Sequence, residues 1–451
     1  MSENYLVVGA GKSGVAAAEL LLDMKKNVTI FEANKDFDEK TFRAVNGSLD
    51  KVPLVIGEMS DDDMKKFDEA VLSPGVPLDS SFSERLKAAG ARITGEVELA
   101  FECGKGKLVA ITGTNGKTTT TSLTGEIMKL DNEDVRVVGN IGNPYTKEAA
   151  TETEKTVTVA EISSFQLETT DKFHPNVAAI LNITPDHLNR HHTMEEYIRV
   201  KELITQNQTE SDTLVLNYED KVLRAFGEKM MGKRKVVFFS SKTELSEGFF
   251  IKDGKIVKAH DGKIESYLAV EELQILGPHN WENAMAAIAM TEAMGVPKRK
   301  IIEGLRNFTA VEHRIEYVCT KNGVKYYNDS KGTNPDAAIK AVEAMNGPIC
   351  LIGGGYDKGN SYDEWVNSFN KRVKMIALIG QTKNKIAECC QRHGFMNFEL
   401  CDTLEEAIDA CTENAVPGDN VLLSPACASW DMFKNYEIRG QIFKEYVKSK
   451  I

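Results

Sequence analysis

Leu108-Val109-Ala110-Ile111-Thr112-Gly113-Thr114-Asn115-Gly116-Lys117-Thr118-Thr119 decides the reading of the whole chain. An apolar, strand-like run enters a glycine-bearing loop, and a lysine with two hydroxyls opens a Thr-rich helix. In such an arrangement successive backbone N–H groups and the positive end of the helix face a polyphosphate. Lys117 is placed to reach the β- and γ-phosphates, and Thr118 to offer its hydroxyl to Mg²⁺. Gly113, Thr114, Asn115, Gly116 and Thr119 complete the candidate cradle for ATP. The general pattern has a glycine five residues before the Gly-Lys pair, where this chain has Ile111. An ordinary glycine turn would not require Lys-Thr-Thr at its exit.

Working outward, 451 residues imply about three domains. The expected division is 1–95, 96–308 and 309–451. The fold class is α/β: an N-terminal Rossmann-like parallel sheet, a central P-loop ATPase-like α/β domain and a C-terminal Rossmann-like α/β domain. A net charge of −12 argues against nucleic acid as a partner, because a phosphate backbone demands clustered Lys and Arg. No apolar run reaches the roughly 20 residues of a membrane span, so membrane insertion is not expected. The start Met-Ser-Glu-Asn-Tyr runs straight into a strand, so a secretory signal is not expected. The 8 cysteines are scattered and lack a Cys-x-x-Cys pair, which suggests reduced thiols in the cytoplasm rather than structural zinc.

In the first segment, strand Tyr5–Val8 precedes Gly9-Ala10-Gly11-Lys12-Ser13-Gly14 and an Ala-rich helix to about Lys25. A second strand, Val28–Phe31, ends at Glu32, and Glu69–Leu72 leads into Ser73-Pro74-Gly75. Alternating strand and helix argue for a parallel sheet with ligands at the strand carboxyl ends. Gly9-x-Gly11-x-x-Gly14 with Glu32 matches a dinucleotide fingerprint and by itself suggests an NAD-linked oxidoreductase. The fingerprint reports only that a pyrophosphate can approach the backbone, and nothing downstream resembles a hydride-transfer site. A UDP-type ligand fits better.

In the second segment, strands Thr156–Ala160 and Ala178–Leu181 each run into polar residues. Glu161, expected just past its strand, reads either as a Mg²⁺ ligand or as a solvated loop acid. In Asp186-His187-Leu188-Asn189-Arg190-His191-His192 two histidines stand four apart, yet the glutamate that zinc peptidases place after the first is missing. A helix over Trp281–Met294 puts Asn280 and Asn283 one turn apart, as nucleotide contacts or as helix caps. In the third segment, strands at Ile349–Ile352, Met375–Ile379 and Val421–Leu423 indicate a second doubly wound sheet. The loops Glu312-His313-Arg314 and Asn328-Asp329-Ser330-Lys331-Gly332-Thr333-Asn334-Pro335 read as binding loops, with Arg314 suited to a bidentate phosphate contact.

Together these motifs resemble the Mur ligase family over the whole chain. The resemblance rests on Thr112–Thr119, Asn140-Ile141-Gly142, Glu161–Leu167, Asn182–Leu188, His279-Asn280, Glu312-His313-Arg314 and Asn328–Pro335. Within the family, Ser424–Tyr436 resembles the D-glutamate-adding member, and the Asp-Asn-Pro-Arg run of the diaminopimelate-adding member is missing. The resemblance implies an ATP-dependent ligase joining D-glutamate to UDP-N-acetylmuramoyl-L-alanine through an acyl phosphate, a cytoplasmic step of peptidoglycan precursor synthesis. The alternatives are another amino-acid-adding ligase of the Mur and folylpolyglutamate synthetase group, or an NAD-binding oxidoreductase.

By the same resemblance Lys117, His187 and Lys201 are catalytic. Thr118 and Glu161 share one Mg²⁺, and His187 serves a second. Lys201 takes the place of the family's carbamoylated lysine, although composition alone reads it as a helix-surface residue within Glu195–Glu202. Asn280, Asn283, Arg314 and Asp329 join Gly113–Thr119 as ATP contacts. Ser13, Gly14, Ser73, Gly75 and Asn140 line the UDP-substrate site, and Lys331, Thr333, Ser429 and Tyr436 the D-glutamate site. The run Gly353–Gly359 departs from the Gly-Gly-Asp-Gly-Lys form of some relatives and leaves its basic contact open, with Lys358 one candidate. A monomer whose domains close around its substrates is implied.

Overall fold

The computed structural model describes residues 3–140, 142–309 and 312–450. Ile141 of the Asn140-Ile141-Gly142 motif lies outside them. Three sheets organise the described residues. The first is five-stranded and parallel throughout, in the order Leu54–Ile56, Asn27–Glu32, Asn4–Val8, Glu69–Leu72, Arg92–Gly95. Its strands are apolar on both sides because helices cover both faces. Val7, Ile30 and Val71 pack with Ala17 and Leu21 on one face, while Leu6, Val8 and Leu72 pack with Met64 and Leu86 on the other.

The second sheet has nine strands. From Val135–Gly139 at one edge it runs through Val157–Glu161, Lys107–Thr112, Val177–Ile180, Thr213–Asn217 and Lys235–Ser240 to Gly248–Lys252, all parallel. Lys255–His260 and Lys263–Ala269 then complete it antiparallel. The two hairpins turn at Asp253-Gly254 and Asp261-Gly262, and all four of these residues have positive φ (48°, 69°, 50° and 71°). Asp-Gly between β-branched runs is the pair that tight hairpin turns require. These three strands did not emerge from the periodicity reading, although the turn pairs announce them.

The third sheet has six strands, in the order Glu316–Lys321, Val324–Asn328, Asn420–Leu423, Ile349–Gly354, Val373–Ile379, Phe398–Leu400. The first is antiparallel to its neighbour and the rest are parallel. Leu351 and Cys350 point to opposite, separately packed cores, as the two-residue period of a strand demands.

The chain forms two compact units: the chain up to Ala269 with Glu282–Leu305, and Val270–Trp281 with the chain from Arg306 onward. Two sequence readings need correction. Glu161 is the last residue of its strand, paired with Ile111 and Gly139, and not a loop residue beyond it. Helix Pro278–Ala293 starts three residues before the expected Trp281, since the proline suits a first helical turn.

Candidate active site

Strand Lys107–Thr112 ends in a loop that turns at Gly113 (φ 149°) and Gly116 (φ 85°) and opens helix Lys117–Lys129. Gly116 is in the left-handed region, and a Cβ there would stand 2.4 Å from Asn283 Oδ1. Glycine is therefore demanded twice over at this position. The loop is held from outside. Asn182 Oδ1 accepts from Asn115 N–H at 2.8 Å while its Nδ2 donates to Asn115 O at 3.0 Å. Thr114 Oγ1 lies 3.1 Å from both Thr184 O and the Tyr197 hydroxyl. Asn283 Oδ1 accepts from Thr120 Oγ1 at 3.1 Å. Asn182 and Tyr197 were not among the sequence-derived site residues, although Asn182 stood in a polar run directly after a strand.

Lys117 Nζ donates to the carbonyls of Gly113 and Thr114 at 2.8 and 2.9 Å. Lys201 Nζ donates to Gly113 O at 2.9 Å and lies 4.8 Å from the centre of the Tyr197 ring. The surface reading of Lys201 fails, because the residue is 1% exposed. Helix Met194–Glu202 buries Tyr197, Val200 and Lys201 on one side and sends Glu195 and Arg199 outward. Burial, and then the Lys117 charge, hold the Lys201 ammonium well below its usual range, while Asp186 acts weakly the other way.

Glu161 is equally buried. Its Oε1 accepts from Asn140 Nδ2 at 2.8 Å, and its Oε2 is buried with no hydrogen-bond partner. The solvated-acid reading is thereby excluded. An orphaned carboxylate oxygen beside a helix start with a buried Thr118 is the donor set a hard divalent cation takes. His187 sits at φ 52°, half exposed, with Phe165 edge-on at 4.9 Å and Asp186 Oδ2 at 3.5 Å. His191, four residues on, is buried against Ser164 Oγ at 2.9 Å.

At the first sheet, Gly14 lies so close under the loop that a Cβ would come within 1.8 Å of Gly9 O. Both Glu32 oxygens are taken by backbone, Oε2 by Ala10 N–H and Oε1 by Asn34 N–H, each at 3.0 Å. Glu32 therefore braces the glycine loop instead of standing ready for a ribose. Ser73 Oγ is buried without a partner at the end of strand Glu69–Leu72, with Gly75 exposed beyond it. Ser13 is half-buried near the start of helix Lys12–Asp23. Lys12 Nζ reaches Gly142 O at 2.6 Å, next to Asn140.

In the second unit, Asp329 and Ser424 follow the carboxyl ends of adjacent parallel strands. Ser424 Oγ donates to Asp329 Oδ2 at 2.7 Å, and Ile315 N–H to Oδ1 at 3.2 Å. Burial pushes the Asp329 carboxyl up to about 7 against the pull of Ser424 and Arg314. Arg314 Nε is itself buried and without a partner. Asn280 Nδ2 donates to Leu276 O at 2.6 Å. Lys331 Nζ lies 5.6 Å from the centre of the Tyr436 ring, Thr333 is half-buried and Ser429 is buried. Lys358 lies over Trp430 at 5.0 Å.

Arg439, which the sequence reading passed over, is 0% exposed and donates to Ser330 Oγ and to the Ser330, Cys427 and Ala428 carbonyls. Ser330 Oγ donates in turn to Tyr436 O at 2.8 Å. One guanidinium thus fixes the loops that carry Lys331, Ser429 and Tyr436.

A phosphate cradle in a central α/β sheet, with a parallel sheet before it in the chain and a mostly parallel one after, defines a multidomain nucleotide-binding α/β protein. Comparison with known proteins narrows this class. The Mur ligase MurD-like N-terminal domain matches residues 3–95, the Mur ligase middle domain 111–291 and the Mur ligase glutamate ligase domain 313–427. The chain belongs to the Mur ligase family. It is 53% identical over 449 residues to the UDP-N-acetylmuramoylalanine--D-glutamate ligase of Lachnospira eligens, covering 99% of both chains. The protein of the same name from Lachnoclostridium phytofermentans is 51% identical, with 99% of this chain and 98% of that one covered. Among solved structures, UDP-N-acetylmuramate-alanine ligase MurC from Thermotoga maritima shares the three-domain fold at 18% identity, with a TM-score of 0.63 and 100% coverage of both chains. MurF ligase from the same organism, solved in complex with ADP, superposes with a TM-score of 0.59 at 17% identity, covering 100% of this chain and 96% of that one.

Proposed function

We propose that this chain is an ATP-dependent ligase that joins D-glutamate to UDP-N-acetylmuramoyl-L-alanine in peptidoglycan precursor synthesis. The observation that carries the substrate assignment is the 53% identity, along nearly the full length, to a relative named for that reaction. Lys117 at the exit of the phosphate loop supports the ATP dependence.

A carboxylate resists attack by an amine because its charge repels the nucleophile and oxide is a poor leaving group. Transfer of the γ-phosphoryl group of ATP to the L-alanine carboxylate replaces that oxide with phosphate. Two anions must meet, and Lys117, swung from the Gly113 and Thr114 carbonyls to the β- and γ-phosphates, offsets part of their repulsion. Loop N–H groups and the start of helix Lys117–Lys129 take the remaining charge. The D-glutamate amine then attacks the acyl phosphate, and the tetrahedral adduct collapses to amide and phosphate. Lys331, Thr333, Ser429 and Tyr436 would orient the amino acid, with Arg439 positioning the loops that hold them. Asn280, Asn283, Arg314 and Asp329 would serve the nucleotide.

Thr118 and Glu161 would hold Mg²⁺, with His187 at a second ion; bound there, Mg²⁺ supplies charge neutralisation on the phosphates. Asn140 orients Glu161 and borders the UDP site formed by Ser13, Gly14, Ser73 and Gly75. Burial and then Lys117 lower the pKa of Lys201, which favours the nucleophilic amine form that carbamoylation needs. The amine nitrogen adds to CO₂, a proton leaves, and the resulting carbamate would offer an anionic oxygen in place of a lysine. The functional division into 1–95, 96–308 and 309–451 follows this assignment. The reading also places the chain in the cytoplasm as a monomer. The eight free thiols fit a reducing compartment, and no helix among the described residues is long and apolar enough to cross a membrane.

The test is ADP release in the presence of UDP-N-acetylmuramoyl-L-alanine, ATP and Mg²⁺ with D-glutamate, L-glutamate, L-alanine or lysine. Release confined to D-glutamate is expected. Equal or greater release with another amino acid would replace the assignment with another ligase of the family.

A further inference from the structure

Among the described residues, three groups of His, Cys, Asp and Glu converge closely enough to share a cation. Glu247, His260 and Asp261 are all exposed and contain no sulfur donor. Glu312, His313 and Glu316 face Lys444, whose ammonium already donates to both carboxylates. The third group, Asp363, Cys389 and His393, differs in kind.

Cys389 lies on helix Lys383–Arg392 and His393 is that helix's C-cap, four residues on, so both side chains fall on one face. Asp363 opens helix Asp363–Asn367 opposite. His393 Nε2 stands 2.7 Å from Asp363 Oδ1 and Cys389 Sγ 3.6 Å from the same oxygen, and all three ligand atoms lie within 4.8 Å of one another. Around a tetrahedral zinc ion, sulfur, nitrogen and oxygen ligands sit roughly 3.3–3.6 Å apart. The sulfur–oxygen spacing is already there, and the nitrogen–oxygen spacing needs only a small opening.

The surroundings suit a bound ion. Cys389 is buried, while the His393 and Asp363 side chains are 26% and 46% exposed, which leaves a fourth position open to water. Ser361 Oγ donates to Asp363 Oδ2 at 2.7 Å and aims the carboxylate, as outer partners of metal ligands do. Arg392 Nη2 donates to Asp363 Oδ1 at 3.2 Å, but its side chain is 59% exposed and can turn to solvent. A mixed sulfur, nitrogen and oxygen donor set selects zinc over Mg²⁺ or Ca²⁺. The same helix grips the preceding loop at a second point, where Lys385 Nζ donates to both oxygens of Asp357 at 3.0 Å.

We propose that Asp363, Cys389 and His393 form a zinc site, completed by water, that fastens the end of the 355–362 loop to helix Lys383–Arg392. Its residues are not those of the phosphate cradle, and it does not depend on the ligase reading. No Cys-x-x-Cys spacing announces it, because the third ligand comes from a different helix.

The full-length protein, stripped with a chelator, is titrated with Co²⁺ and then with Zn²⁺. Expected is a single equivalent of Co²⁺ giving thiolate-to-cobalt absorption in the near ultraviolet with tetrahedral visible bands, bleached by Zn²⁺ and unaffected by excess Mg²⁺. The thiolate band disappears in Cys389→Ser and persists in Cys390→Ser. Cobalt affinity falls about tenfold or more in His393→Ala, a surface change that decides the matter should Cys389→Ser fail to fold. Zinc raises the unfolding temperature of the wild type and not that of His393→Ala. A wild-type protein without a thiolate–cobalt band, a band at full strength in folded Cys389→Ser, or unchanged affinity in His393→Ala would overturn the proposal.

Discussion

Lys117 and Lys201 both donate from Nζ to the carbonyl oxygen of Gly113, at 2.8 and 2.9 Å. Two ammonium groups on one buried acceptor repel each other, and burial together with that repulsion lowers the pKa of the more deeply buried of them, Lys201. Lys117 is only half-buried. The two lysines thus differ in depth in the fold, and burial weighs on the charge of Lys201.

If Lys117 meets the phosphates as proposed, its loss should be the least tolerable. Lys117→Ala should lower turnover by about 10²–10³-fold or more, with circular dichroism and thermal unfolding close to wild type. Near-normal phosphate release from the folded variant would refute the role.

Lys201 carries a stability signature that is independent of turnover. Its folded-state value lies below the ordinary 10.5 of the unfolded chain. Between the two, the unfolded chain binds more protons, so its contribution to stability rises with pH. In CO₂-free buffer, Lys201→Met should therefore be the more stable form near neutrality, and its advantage should shrink as pH rises toward 10.5. Chemical denaturation at a series of pH values measures this, and a difference independent of pH would contradict it.

Asp329 should behave with the opposite sign. Its carboxyl is raised from 3.8 to about 7, so the folded chain holds the extra proton across that window and stability falls as pH rises through it. Relative to Asp329→Asn, the wild type should lose about 1 kcal/mol per pH unit between those values, read from denaturation midpoints. Parallel pH profiles of the two proteins would contradict the assignment.

Ser73 offers a test at the first sheet. Its hydroxyl is buried and makes no hydrogen bond, so Ser73→Ala should cost little or no stability. If that hydroxyl serves the uridine-diphosphate group, KM for the UDP substrate should rise about tenfold with little change in KM for ATP. An unchanged KM for the UDP substrate would remove Ser73 from the site.

What the sequence disclosed, and what it withheld, follows from the range of the interactions involved. The strand, loop and helix over Lys107–Lys129 are legible because a glycine turn, a lysine and the following helix are local features. Parallel strands such as Val177–Ile180 are legible because burial on both faces leaves an unbroken apolar run. The three strands between Gly248 and Ala269 alternate weakly and were missed, although Asp253-Gly254 and Asp261-Gly262 mark their turns. Lys201 looked like a surface lysine because its burial depends on the Gly113 loop, 88 positions earlier. Arg439 gave no signal, since its acceptors at Ser330, Cys427 and Ala428 come from loops that only the folded sheet brings together.

In the proposed reaction ATP activates the L-alanine carboxylate. This activation is tested most directly by labelling that carboxylate with a heavy oxygen isotope and recovering inorganic phosphate after turnover with D-glutamate. An acyl phosphate transfers one labelled oxygen to phosphate for each peptide bond formed, and that is the predicted result. Peptide bond formation that leaves the phosphate unlabelled would contradict it.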